Sequence, residues 1–220
     1  MDNVLFFPSS TIVDKNVPKN AFFGRTNVEQ KSTLKQILTR EFESITWLYK
    51  LAENTLNVSD GDEVHEIDVF VCKMKDKDYK PDSIFLLDEQ IPRQTLFVVE
   101  YEENIDLLIR YKERIEVRGE AKWKFGKAEI LKRFDYSKKS LLLNGMSMDK
   151  VYANLLSNIS QLNVQTIEEY KDTKAHIAQK ETLMKQIATL ESKVRKEVQP
   201  RKKFELHQQI VRLKKELGII

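Results

Sequence analysis

Eight apolar residues near the C-terminus are spaced as a mirror image. Leu183, Ile187, Leu190 and Val194 step by four, three and four, and Leu206, Ile210, Leu213 and Leu217 repeat those steps. This spacing keeps an apolar stripe on one side of an α-helix, the seam along which helices pair. In an antiparallel hairpin, facing residues have position numbers with a constant sum; 183 with 217, 187 with 213, 190 with 210 and 194 with 206 all sum to 400. The midpoint of the mirror is Pro200. Proline inside a helix removes a hydrogen bond and clashes with the preceding turn, and Gln199 before it is pushed toward extended geometry. The pattern therefore predicts a helical arm over residues 165–220, an antiparallel coiled coil turning at Pro200. The alternative, one long kinked helix that pairs with a second copy as a homodimer, explains the stripe but not the symmetry.

Charge is concentrated at the same place. The 220-residue chain carries a net charge of only +3, too little for a bulk electrostatic argument about partners. From residue 168 to 220 there are thirteen Lys and Arg against eight Asp and Glu, and residues 193–203 alone hold six against one. Lys193, Arg195, Lys196, Arg201, Lys202 and Lys203 thus converge on the turn end of the arm. Six like charges repel, and an anionic partner would relieve that cost, whether DNA, RNA or an acidic protein surface. The bland reading is a well-solvated turn.

Residues 1–164 read as an α+β domain with a mixed, mainly antiparallel sheet and packed helices. Asn27 and Gln30 offer a capping box before an amphipathic helix over 28–42. Ile45, Trp47, Tyr49 and Leu51 alternate as a strand, as do Ile67, Val69 and Val71, with the turn-rich "NVSDGDE" between them. A short helix bracketed by Pro81 and Pro92 separates the second strand from "TLFVVEY", a crossover that places those two strands parallel. "TLFVVEY" turns at residues 102–104 into "IDLLIRY". Residues 113–145 supply one or two further strands, and a helix over 148–162 turns Val151, Leu155, Ile159 and Leu162 toward the sheet.

Chemistry is sparse. His65, His176 and His207 are scattered, no pair of ligands has metal spacing, and six glycines leave no phosphate-cradling loop. No metal and no cofactor are expected. Cys72, the sole cysteine, reads as a small buried hydrophobe in a reducing, cytoplasmic protein. No apolar run spans a membrane, and Met1 to Phe7 lacks a signal-peptide pattern. The alternative enzyme is a Mg²⁺-dependent nuclease using Asp68, Glu100 and Lys73; against it, solvated strand-edge carboxylates are the ordinary explanation. Residues 110–139 interleave eleven Lys and Arg with Tyr111, Trp123, Phe125, Phe134 and Tyr136. That mixture suits stacking on single-stranded nucleic acid, and equally suits half-buried strands.

Four blocks, "NVPKNAFFGRTN" at 16–27, "ITWLYKLAENTLNV" at 45–58, "VHEIDVFVCKMK" at 64–75 and "IPRQTLFVVEY" at 91–101, together with the charged helical tail, resemble a prokaryotic family catalogued as domain of unknown function 4391. The resemblance implies an accessory role beside helicases and DNA methyltransferases of restriction-type or anti-phage systems, with a protein partner of that kind. It implies no catalytic residues. In the first block, Ala21, Phe22 and Phe23 read as an anchor that lays the N-terminal segment on the core.

Overall fold

In the computed structural model the described residues are 5–24, 28–136 and 140–219. They form two compact units, Met1–Ile167 and Glu168–Ile220.

The first unit is built on a six-stranded sheet of β1 (Ile12–Asn16), β2 (Phe42–Ala52), β3 (Glu66–Met74), β4 (Gln94–Tyr101), β5 (Asn104–Ile109) and β8 (Glu129–Leu131), in that spatial order. Every neighbouring pair is antiparallel except β3 with β4, which run parallel. The helix α3 (Pro81–Asp88) supplies the crossover between them, and Pro81 occupies its first turn, where a missing N–H costs nothing. Residues 67–72 of β3 are all buried, because helices and loops cover this central strand on both faces. On one face α1 (Val28–Glu41) and α3 contribute Leu34, Leu38, Ile84 and Leu87 to a cluster with Phe70, Cys72, Phe97, Val99 and Leu108. The helix α4 (Met148–Ser160) lies against β5 and β8 and buries Val151, Leu155 and Ile159. Leu162 falls beyond the end of α4 and is half-buried. The α+β fold, the mixed sheet and the parallel pair are therefore as the sequence predicts.

Three local features differ. The segment before residue 18 contributes an edge strand, β1, in addition to an anchor; Phe22 is buried and Phe23 half-buried on the core, while Ala21 is exposed. A one-turn helix, α2 (Glu53–Leu56), follows β2 directly. Of the strands in 113–145, β6 (Lys112–Val117) and β7 (Glu120–Phe125) form a separate two-stranded ribbon, and only β8 joins the main sheet. The ribbon turns on Arg118 and Gly119, both at positive φ (55° and 79°), the geometry that matches the twist of paired strands. Asn27 and the side chain of Gln30, the expected capping box, lie outside the described residues.

The loop between β3 and the preceding helix is tied down by one carboxylate. Asp149, in the first turn of α4, accepts hydrogen bonds from the backbone N–H groups of Asp62 (2.8 Å) and Val64 (2.8 Å), and more weakly from Glu63 (3.2 Å). Gly61 leaves room for it, since a Cβ there would collide with that carboxylate.

The second unit is a helical hairpin of α5 (Ile167–Lys196) and α6 (Pro200–Glu216). Ile187, Val194 and Ile210 form its buried seam, flanked by half-buried Leu190, Leu206, Leu213 and Leu217. Pro200 is the first residue of α6, so the reversal itself occupies residues 197–199. Proline is well suited to that first position, where its fixed φ starts a helix.

Candidate functional site

The turn end of the hairpin brings together all six cations that the sequence singles out. Lys193, Arg195 and Lys196 lie in the last turn of α5, and Arg201, Lys202 and Lys203 in the first turn of α6; all six are exposed. The two sets differ electrostatically. A helix C-terminus favours cations, so the α5 set is well placed, whereas the N-terminus of α6 disfavours them. That first turn contains no acidic residue, and Gln199 makes no side-chain cap. Arg201 approaches Glu205 at 3.5 Å; Lys193, Lys196, Lys202 and Lys203 form no salt bridge among the described residues. Glu197, the one acid in the turn, accepts hydrogen bonds through Oε1 from the N–H groups of Val198 (3.0 Å) and Gln199 (2.8 Å). It therefore shapes the turn and offsets only part of the charge. Val198, between the two basic runs, is 89% exposed.

The alternative catalytic residues do not converge. Lys73 and Glu100 are register partners on β3 and β4, but Asp68 pairs with Thr95, five positions away along the strand. That is roughly 16 Å at strand rise, and the odd offset puts Asp68 and Lys73 on opposite faces. Asp68 is also not a solvated edge carboxylate, contrary to the sequence reading: its side chain is 0% exposed. Arg93 Nε donates to Asp68 Oδ2 at 2.7 Å and also meets Glu66 at 3.1 Å, and Lys50 meets Glu66 at 2.7 Å. Burial raises the pKa of Asp68, and the Arg93 guanidinium offsets this only in part. Burial likewise raises the pKa of Glu100 and pushes the Cys72 thiol up, in keeping with the inert role expected for that cysteine.

Below this cluster lies a buried lysine that sequence reasoning placed in a basic binding stretch. Lys112 Nζ donates to the carbonyls of Asp88 (3.1 Å), Ile91 (3.0 Å) and Arg93 (2.6 Å) and to Thr95 Oγ1 (2.9 Å), and it ion-pairs with Asp88 at 2.6 Å. It thus closes the C-terminal end of α3, where a cation suits the helix dipole, and pins the start of β4. Arg110 binds Asp88 from the other side at 3.0 Å and stacks between Phe85 (5.1 Å) and Phe125 (4.4 Å). Tyr111 and Phe134 are buried as well. Of this stretch, Arg110, Lys112 and most of the aromatic residues are therefore spent on internal packing, leaving Tyr136 as the exposed aromatic among the described residues, whereas Arg114, Arg118, Lys122, Lys124, Lys127, Lys132 and Arg133 remain exposed. The missed signal was register: Lys112 faces the loop before β4 only because β6 leaves the main sheet.

Among the described residues, no group of three His, Cys, Asp or Glu side chains is placed to hold a metal ion, and no helix is long and apolar enough to cross a membrane. A family model described as Domain of unknown function (DUF4391) matches residues 5–217, nearly the whole chain. No curated protein and no solved structure matches it.

Proposed function

The chain belongs to the family described as Domain of unknown function (DUF4391), and from that premise we propose that it is a non-enzymatic adaptor that engages an anionic partner through the turn end of its hairpin. One observation carries this reading: three cations occupy the first turn of α6, where the helix dipole opposes them, no acid lies in that turn, and only Arg201 has an ion-pair partner, the exposed Glu205 at 3.5 Å. Folding gains little from that arrangement, since an exposed pair such as Arg201–Glu205 contributes little, whereas an incoming carboxylate or phosphate would be stabilised by the cations and the helix terminus together. The family context implied by the sequence blocks supports a helicase- or methyltransferase-type enzyme of a restriction-like or defence system as the partner. A second reading, direct contact with a DNA or RNA backbone, draws on the same exposed lysines. It predicts sequence-independent binding that weakens steeply with salt. The nuclease alternative draws no support from the separation of Asp68 and Glu100.

The test compares the full chain with a variant carrying Arg195→Gln, Lys196→Gln, Arg201→Gln, Lys202→Gln and Lys203→Gln in affinity capture from the native host. The variant should lose a partner that the parent retains at low salt, with its unfolding midpoint unchanged. Equal retention by both would overturn the reading. Incubation with plasmid and Mg²⁺ addresses the enzyme alternative, since cleavage that disappears in Asp68→Ala would exclude a non-enzymatic role.

A further inference from the structure

The hairpin has two flanks, and they are chemically unlike. On one, Glu191 and Lys214 form an ion pair across the seam at 2.9 Å, and Lys214 holds the Glu191 carboxyl below its ordinary range. On the other, an open groove of about 570 Å³ exposes the sides of Leu190 and Leu213. Its rim is cationic: Lys185, Lys193 and Arg212 line it, and no carboxylate does. The remaining lining residues, Thr182, Gln186, Thr189 and Gln209, are neutral. A second hollow of about 490 Å³ continues it toward the turn, sharing Lys193 and Gln209 and adding Leu206, Lys196 and Lys202. The two acids there, Glu197 and Glu205, are already engaged by the turn backbone and by Arg201.

The geometry points to this groove as a docking site for one amphipathic helix of a partner protein, with leucine-like residues on its inner face and Asp or Glu on both flanks. The inference rests on the adaptor reading and specifies the partner's contact element. Two paired helices leave their seam residues half-covered, and a third helix lying in the groove buries them, as in three-stranded coils. From Thr182 to Lys196 the groove is roughly 21 Å long at helical rise, room for about four turns of helix. Charge selects the occupant. A second copy of this chain, docked groove to groove, would set Lys185, Lys193 and Arg212 against their own equivalents. A nucleic-acid backbone would satisfy the rim but would leave the leucine floor in contact with phosphate and sugar.

The probes are two synthetic 18-residue helices that share leucines at four-three-four spacing, one flanked by glutamates and the other by lysines. Titrated into the full chain, the glutamate peptide should bind at least tenfold more tightly than the lysine peptide. The variant Lys185→Glu, Lys193→Glu, Arg212→Glu should reverse that order. A second variant, Thr189→Trp, fills the groove without altering charge and should abolish glutamate-peptide binding. The proposal is overturned if the peptides bind equally, if neither binds, or if Thr189→Trp binds like the parent. Self-association or duplex DNA binding that Thr189→Trp removes would assign the groove to a second copy or to nucleic acid, and also overturn it. In host capture, loss of the partner by the five-glutamine variant with retention by Thr189→Trp would sink the groove alone. Retention by both would sink the adaptor reading itself.

Discussion

Asp68 and Lys112 show why single residues misled the sequence reading. Alternation correctly puts Asp68 on the same strand face as Phe70 and Cys72, but period alone does not reveal that Arg93, twenty-five positions on, reaches back to pair with it. The titration consequence is testable. Burial holds the pKa of Asp68 above its ordinary 3.8, so the native chain keeps a proton that the unfolded chain has lost. This group therefore lowers stability as pH rises from about 3.8 through its raised pKa. In urea unfolding across that range, Asp68→Asn should remove this downward component, and a profile identical to the parent would contradict the assignment. Lys112→Met leaves Asp88 Oδ1 and three carbonyls without their cation inside the protein, while Asp88 Oδ2 keeps Arg110. Breaking a buried pair in this way should cost about 3 kcal/mol, read as a lower denaturant midpoint.

At the level of elements, long periodic segments were legible and short ones were not. The helices α1, α4, α5 and α6 and the strands β2 to β5 carry enough apolar repeats to declare their type, and the two prolines around α3 mark it. The edge strand β1 is five residues with a register shift and mostly exposed side chains, so it has no pattern to read. The ribbon of β6 and β7 did carry a signal, the Arg118-Gly119 turn, which alternating charge obscured. Two substitutions probe the elements. Gly61→Ala drives a methyl into Asp149, and with the loop N–H groups displaced it should destabilise the first unit by about 1–3 kcal/mol. In the hairpin, Ile210 is buried and Leu190 only half-buried, so Ile210→Ala should lower the helical melting transition more than Leu190→Ala. The reverse order would mean that the seam is packed differently from the register described.

For the whole molecule, the separation into two units implies a division of labour. The first unit has its own two-faced core, so residues 1–167 should unfold cooperatively by themselves, checked by thermal circular dichroism on that fragment. The hairpin was the most legible part of the chain because its seam, turn and charge all repeat the same symmetry. Its partner was not legible, since exposed cations specify an anion and not its identity. The central claim is that the turn end of the hairpin is where that anion is met. A photo-crosslinking residue placed in the native host at Val198, 89% exposed between the basic runs, tests it against one at Met146, 86% exposed in the first unit. The account predicts a discrete adduct from position 198 that disappears when the five cations become glutamine, and none from position 146. An adduct from position 146 with nothing from position 198 would contradict it.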